Sequence, residues 1–367
     1  MKKQRILILG NSASGLYDFR NELLLSFLEK YEVYVSLPDG DTIPELSREG
    51  CHVIQTPIDR RGMNPKRDGK LFFTYYRMLK DIKPDVVLTY TIKPNIYGAL
   101  ACRLRRIPYL VNITGLGSAF ERGGMVQKLV VFLYKIALKK ASCVFFQNAY
   151  NQSVFERLGI KGKKTRRLPG SGVNLTRHTE EPYPENEMPQ CLFVGRIMKE
   201  KGIEEFLYAA EKFHEEKRGV RFRIIGKYED AYEKVITPLQ EKGIVEVLPY
   251  QKIIHPFYAE ADVIAVPSYH EGMSNVILEA SATGRPILAS AIPGCQEGFD
   301  EGISGFGFTV RDKEAFYEAA DKFFSLSREE RARMGQAARQ KMEAEFDRNL
   351  IVGIYQEELG LHLLTSE

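Results

Sequence analysis

Short runs of β-branched and aliphatic residues recur through the first half of the chain: Arg5 to Leu9, Val33 to Leu37, Asp85 to Tyr90, Tyr109 to Ile113 and Cys143 to Gln147. Longer amphipathic stretches separate them. A strand that is apolar at successive positions, instead of alternate ones, is covered on both faces, and helix-length connections are what parallel crossovers require. The pattern predicts a doubly wound, parallel α/β domain. Residues Leu168 to Gln190 interrupt it with Pro169, Gly170, Gly172, Pro182, Pro184 and Pro189 among polar positions, the composition of an exposed connection. The alternation then restarts, with strands at Gln190 to Val194, Arg221 to Ile225, Val245 to Leu248, Asp262 to Val266 and Pro286 to Ser290. Helices are expected over Gly202 to His214 and from about Ser274. The reading is of two domains, residues 1–170 and 171–345, with sheets facing across a cleft lined by the carboxyl ends of both sets of strands. Phe346 to Leu363, about 346–363, reads as a closing helix for which the first domain is one packing surface.

The length of 367 residues suits two domains, and 44% apolar with 27% charged residues excludes a mainly disordered, collagen-like or integral membrane protein. Ile6 to Leu9 is too short for a signal-peptide core and ends in Gly10-Asn11, so it is expected as a first strand. The apolar stretch Leu129 to Tyr134 is broken by Lys135 and Lys139-Lys140, far short of the ~20 residues that span a bilayer. Five widely spaced cysteines form no Cys-x-x-Cys pair, and they read as reduced, cytosolic thiols packed as small hydrophobes.

The net charge of +4 conceals a division. Residues 1–170 carry 29 Lys and Arg against 14 Asp and Glu, a surplus of 15; the remainder carries 23 against 34, a deficit of 11. The positive charge gathers at Arg60, Arg61, Lys66, Arg67 and Lys70, at Arg103, Arg105 and Arg106, and around Lys128, Lys135, Lys139 and Lys140, among aliphatic and aromatic residues. An anionic membrane surface suits that mixture. A solvated basic face without a partner is the other reading. No nucleic-acid motif accompanies the charge, so nucleic acid is not an expected partner.

The stretch Pro267 to Pro286 is the most informative. A buried strand ends at Pro267, a glycine-containing loop carries Glu271, and a helix starting near Ser274-Asn275 carries Glu279. Amide groups at such a helix start can hold a diphosphate while flanking carboxylates accept hydrogen bonds from sugar and ribose hydroxyls. Solvated helix carboxylates are the plainer explanation of two glutamates, but this segment is otherwise largely uncharged.

Together with Val194-Gly195-Arg196-Ile197-Met198-Lys199-Glu200-Lys201-Gly202, Arg223 to Gly226, Ala289 to Glu297, the N-terminal Gly10 to Gly15 and Gly170 to Asn174, this stretch resembles the retaining nucleotide-sugar glycosyltransferases of the GT-B fold, glycosyltransferase family 4. The resemblance spans essentially the whole chain. It implies a GT-B architecture of two Rossmann-like domains and a catalytic set of Arg196, Lys201 and Glu271. Arg196 and Lys201 would neutralise the leaving diphosphate without a metal. Their alternative is an exposed ion-pair cluster with Glu200, Glu204 and Glu205. Glu279 would hold the ribose and Glu271 the donor sugar, with backbone groups near Met273, Ser274 and Asn275 on the diphosphate or sugar and those near Tyr250 and Gln251 on the base. Gly226 would permit close approach of the nucleotide. Gly15, on the loop after the first strand and ahead of a helix beginning around Asp18, would do the same for a phosphate or the reacting sugar.

Many relatives of that family place a histidine after the strand Tyr109 to Ile113. Here the segment reads Asn112-Ile113-Thr114-Gly115-Leu116-Gly117-Ser118, which resembles the subgroup extending polyprenyl-diphosphate-linked glycans. On the acceptor side stand Thr114, Gly115 and Lys93, with Lys93 either on the acceptor phosphate or solvated. The Asp39-Gly40-Asp41 triplet looks like a metal motif of another glycosyltransferase fold, but Pro38 and Pro44 around it make an ordinary turn. No metal and no cofactor are expected. The resemblance implies a UDP-sugar donor, a polyprenyl-diphosphate-linked glycan acceptor, and a cytoplasmic enzyme at the inner face of the cell membrane. A UDP-sugar 2-epimerase of the same architecture and a non-catalytic UDP-sugar-binding subunit remain as alternatives.

Overall fold

A computed structural model of the chain describes residues 3–59, 64–116, 124–229 and 231–363. Arg60, Arg61, Gly117, Ser118 and the side chain of His362 lie outside the described residues. Residues up to Ser171 and from Asn349 onward form one compact unit, and Gly172–Arg348 form a second.

Unit 1 is a seven-stranded parallel sheet of β1 (Arg5–Leu9), β2 (Glu32–Leu37), β3 (His52–Gln55), β4 (Val86–Tyr90), β5 (Tyr109–Ile113), β6 (Cys143–Phe146) and β7 (Thr165–Arg167), in the order β3-β2-β1-β4-β5-β6-β7. In β1, Ile6 and Ile8 enter one hydrophobic cluster while Leu7 and Leu9 enter another, and all four are fully buried. Two-sided burial is why no polar position alternates through this strand. The helix Arg348–Leu363 closes the Ile6 side, contributing Ile351, Tyr355 and Leu359 at four-residue spacing. Lys164 and Arg166 of unit 1 both reach Glu358 of that helix, at 2.6 and 3.3 Å.

Unit 2 repeats the plan with six parallel strands: β8 (Gln190–Val194), β9 (Arg221–Ile225), β10 (Val245–Leu248), β11 (Val263–Val266), β12 (Ile287–Ser290) and β13 (Gly305–Phe308), ordered β10-β9-β8-β11-β12-β13. Cys191 and Phe193 of β8 point to one cluster and Leu192 to the other. Both units therefore reverse strand order between their first and fourth strands. Outside the carboxyl ends of the strands flanking such a reversal is where open α/β sheets hold ligands.

The edge strands β3, β7 and β13 fall outside the sequence expectation. β3 and β7 have no fully buried position, and Gly305 and Gly307 weaken the β-branched pattern of β13. The closing helix begins at Arg348, after a π-helical turn at Met342–Phe346, so unit 2 extends three residues beyond the expected 345.

All five cysteines are free and buried, and burial pushes the Cys51 and Cys143 thiols up to about 12. A disulfide-exchange reagent is therefore expected to modify fewer than about one thiol per folded chain and all five after denaturation. Rapid reaction of the folded protein would contradict the packing.

Candidate active site

The switch point of unit 2 is built from the chain that leaves β8 and the chain that leaves β11. After β8 come Gly195 and Arg196, then a single 3-10 turn, Lys199–Lys201, ending at Gly202. Gly202 has φ +73°, and a Cβ there would overlap the Pro267 carbonyl directly after β11. The two backbones touch at that point, which only glycine permits. The Tyr269 amide donates to the Glu200 carbonyl at 2.9 Å, and the Tyr269 hydroxyl donates to Glu205 at 2.9 Å. Burial, then the Glu205 interaction, raises the Tyr269 phenol so that it remains a donor.

These ties bring Lys201 Nζ to 2.5 Å from Glu271 Oε1, across 70 residues of chain. The pair is mostly shielded, with side chains 25% and 15% exposed. The Glu271 loop is backed by Gly294, whose φ is +86° and whose missing side chain would collide with the Glu271 and Gly272 carbonyls. The Ser274 amide donates to the Gly294 carbonyl at 2.8 Å, and the Gly294 amide donates to Glu297 at 2.6 Å.

The helix Asn275–Ala282 starts from this clamp, with Ser274 as its N-cap. Glu279 lies one turn further on and accepts from the Tyr258 hydroxyl at 3.1 Å. Burial first, and Glu279 second, pushes the Tyr258 phenol well above its ordinary range, so it stays protonated and fixes the carboxylate orientation. Arg196 points elsewhere: its Nη1 donates to Glu229 at 2.8 Å, and its side chain is half exposed. Gly226 follows β9, and a Cβ there would overlap the Gly195 carbonyl, so its backbone passes directly against that of Gly195. Tyr250, beyond β10, is exposed, with Lys227 Nζ 4.2 Å from its ring centre; Gln251 follows it, half-buried.

A family model described as glycosyl transferase 4-like matches residues 5–148, and another described as glycosyl transferases group 1 matches residues 177–341. The chain belongs to these group 1, 4-like glycosyltransferases. It is 26% identical over 370 residues to an N,N'-diacetylbacillosaminyl-diphospho-undecaprenol alpha-1,3-N-acetylgalactosaminyltransferase of Campylobacter jejuni, a match that covers 96% of this chain and 97% of that relative. It is also 26% identical over 333 residues to a UDP-Gal:alpha-D-GlcNAc-diphosphoundecaprenol alpha-1,3-galactosyltransferase of Escherichia coli, covering 85% of this chain and 84% of the relative. Among solved structures, a glycosyltransferase from Rickettsia africae superposes with a TM-score of 0.79 at 20% identity, covering 99% of each chain. The fold of this glycosyltransferase is thus GT-B.

In the glycosyltransferase, the residues expected in unit 2 gather at the carboxyl ends of β8 to β11, with one correction. Neither Arg196 nor Lys201 pairs with Glu200, Glu204 or Glu205. Glu204 accepts from Tyr232 and faces Lys199 at 3.5 Å, while Glu205 is buried under Tyr269. The Met273 side chain is buried among Val173, Leu278, Ala282, Met342 and Phe346, which leaves its backbone for any ligand.

Two readings in unit 1 change. Gly15 is not ahead of a helix beginning at Asp18 but inside the first turn of the helix Ala13–Leu28, because Ser12 caps it by accepting the Gly15 amide at 3.0 Å. Lys93 is not solvated; its Nζ lies 2.7 Å from Asp68 Oδ1, with side chains 13% and 8% exposed. Thr114 and Gly115 follow β5, half-buried. Asp39 serves its turn, accepting from the Gly40 backbone amide at 3.0 Å and from the Gln55 side-chain Nε2 at 3.3 Å. The contacts of Glu229 with Arg196, of Tyr258 with Glu279 and of Tyr269 with Glu205 escaped the sequence reading because each acts at 21 or more residues' separation.

Proposed function

We propose that this glycosyltransferase is a retaining, metal-independent enzyme that moves a hexose or N-acetylhexosamine from a UDP-sugar to a polyprenyl-diphosphate-linked glycan in surface polysaccharide assembly. The observation that carries the donor half is the meeting of Lys201 with Glu271 at the switch point, beside a capped helix start and between the close backbone approaches at Gly202 and Gly294. The acceptor half is supported by two relatives whose names specify diphospho-undecaprenol-linked substrates, one of them with UDP-Gal as donor.

On this reading Glu271 orients the donor sugar and holds Lys201 until a diphosphate competes for the ammonium. Arg196, Lys201 and the first amides of the helix Asn275–Ala282, which have no intrahelical acceptor in an α-helix, take up charge as the anomeric C–O bond breaks. The acceptor hydroxyl bonds to the anomeric carbon on the face the diphosphate leaves, and its proton passes to a diphosphate oxygen. Glu279, steered by Tyr258, holds the ribose hydroxyls, and the backbone at Gly226, Tyr250 and Gln251 borders the base. In unit 1, Thr114, Gly115 and the Lys93–Asp68 pair serve the acceptor.

The test incubates the full chain with individual UDP-sugars, with and without undecaprenyl-diphosphate-linked N-acetylglucosamine, in the presence of EDTA. Transfer with retained anomeric configuration, unaffected by EDTA, is expected. An inverted product, or loss of transfer on chelation that added metal restores, would sink the reading. Epimerised donor without acceptor would instead favour the 2-epimerase, and donor binding without any product a non-catalytic role.

The membrane half rests on the helix Gly124–Leu138. It buries Val130, Tyr134, Ala137 and Leu138, yet leaves Met125, Val126, Leu129 and Phe132 exposed, with Lys128 and Lys135 on the same helix. Among the described residues no helix is long and apolar enough to cross a membrane. An apolar stripe flanked by lysines suits the headgroup boundary of an anionic bilayer. Sedimentation with phosphatidylglycerol vesicles should show binding that weakens with salt, and Met125→Ser with Phe132→Ser should weaken it at least about tenfold. Equal binding to neutral vesicles would remove the electrostatic part.

A further inference from the structure

The two switch points differ in how their cations are compensated. In unit 2 the ammonium after β8 meets a carboxylate after β11. In unit 1 the equivalent strands are β1 and β4; Lys93, after β4, has its carboxylate in Asp68, and the cation after β1 is Arg20, on the helix that follows that strand. Arg20 leaves helical geometry, with φ −144° and ψ 16°, and is only 9% exposed. Its guanidinium lies 4.7 Å from the ring centre of Tyr90, the last residue of β4. Nη1 reaches the Phe19 carbonyl at 3.4 Å. Nη2 reaches the Gln147 side-chain oxygen at 3.1 Å in the amide orientation that also lets Gln147 donate to the Thr114 carbonyl at 3.2 Å. Among the described residues no carboxylate pairs with Arg20. A buried cation without an anion is costly and is ordinarily paired.

Four neighbouring polar side chains are closed on one another. Thr89 Oγ1 donates to Asn95 at 2.8 Å, Asn95 Nδ2 to the Asn112 carbonyl at 2.8 Å, and Asn112 Nδ2 to the Thr89 carbonyl at 3.0 Å; the Tyr355 hydroxyl donates to Asn112. Outside that network stand the buried Tyr90 hydroxyl and Thr91, directly after Tyr90. Thr91 is β-branched yet held at φ +72°, and its buried hydroxyl has no hydrogen-bond partner among the described residues. Strain in a β-branched residue persists only where the surroundings enforce it, and such positions cluster at ligand sites. Among the described residues, a guanidinium lacking an anion and a hydroxyl lacking a partner thus flank the end of one strand, at the place where open α/β sheets take ligands.

We infer that Arg20 holds an anionic group of the substrate at the switch point of unit 1, and that this group is the diphosphate of the lipid-linked acceptor. The second clause rests on the acceptor reading above; the anion site itself does not. The planar guanidinium offers paired donors to phosphate oxygens while its face stays on Tyr90, and the Gln147 link couples it to the loop bearing Thr114 and Gly115.

The test is calorimetric titration of inorganic diphosphate into the full chain presaturated with UDP, which removes the donor site from the measurement. Wild type is expected to bind diphosphate, Arg20→Gln at least about tenfold more weakly, and the UDP affinity to be the same in both. In steady-state assays Arg20→Gln should raise KM for the lipid-linked acceptor about tenfold, with KM for the sugar nucleotide unchanged. Equal diphosphate binding by wild type and Arg20→Gln, or none by UDP-saturated wild type, would overturn the site. Arg20-dependent diphosphate binding with an unchanged acceptor KM would overturn its assignment to the acceptor. If Arg20→Gln does not fold, Arg20→Lys, which keeps the charge but loses the paired donors, carries the same comparison; undiminished diphosphate binding by that variant overturns the site.

Discussion

Lys201→Ala is expected to lower kcat at least about 10²-fold, and Arg196→Ala to do the same, because charge that develops on a leaving diphosphate is stabilised only in the transition state. The two cations start from different places. Lys201 is shielded and bonded to Glu271 at 2.5 Å, whereas Arg196 is half exposed and bonded to Glu229 at 2.8 Å. Their purely structural value should differ accordingly. Arg196→Ala removes a partly solvated pair worth up to ~1 kcal/mol, so its unfolding midpoint should scarcely move. Glu229→Gln removes the same ion pair and should keep turnover within about fivefold of wild type. A large fall in kcat for Arg196→Ala beside a small one for Glu229→Gln separates work on the substrate from work on the fold. Near-normal turnover in both cation variants would remove the proposed chemistry, whatever the donor.

The strands that carry these residues were legible in the sequence because they are apolar on both faces, and the central ones fall within a residue of expectation. The edge strands β3 and β7 were not, since they need only one partner and bury no residue fully, whereas the edge strand β10 kept enough apolar character to be read. The charged set was legible for a different reason: Arg196, Lys201, Glu271 and Glu279 stand in loops immediately after apolar strands or on the helix that begins there. What periodicity could not supply was pairing. That Lys201 meets Glu271 instead of Glu204 depends on the order in which strands lie side by side, which is a property of the sheet, not of either segment. Arg20 is the sharper case. Eleven residues beyond β1, on an amphipathic helix, it looks like any solvated arginine; only the kink at its own φ and the position of β4 next to β1 turn it inward over Tyr90.

The same dependence on sheet order gives Gly202 an effect beyond its size. Its φ of +73° alone costs an L-residue roughly 1–2 kcal/mol. Gly243 provides the control, with φ +71° and no atom near the position of a Cβ. Gly243→Ala is therefore expected to cost about 1 kcal/mol in denaturant unfolding and to leave turnover unchanged. Gly202→Ala must in addition push its Cβ into the Pro267 carbonyl, a backbone atom that cannot rotate away, and a cost of about 3 kcal/mol or more follows. The displacement falls on the residue directly after Lys201 and on the strand end leading to Glu271, so the folded fraction of Gly202→Ala should also lose turnover, in company with Lys201→Ala. Should Gly202→Ala be no less stable than Gly243→Ala and retain full activity, the backbone contact between the chains leaving β8 and β11 would not be what sets the Lys201–Glu271 distance.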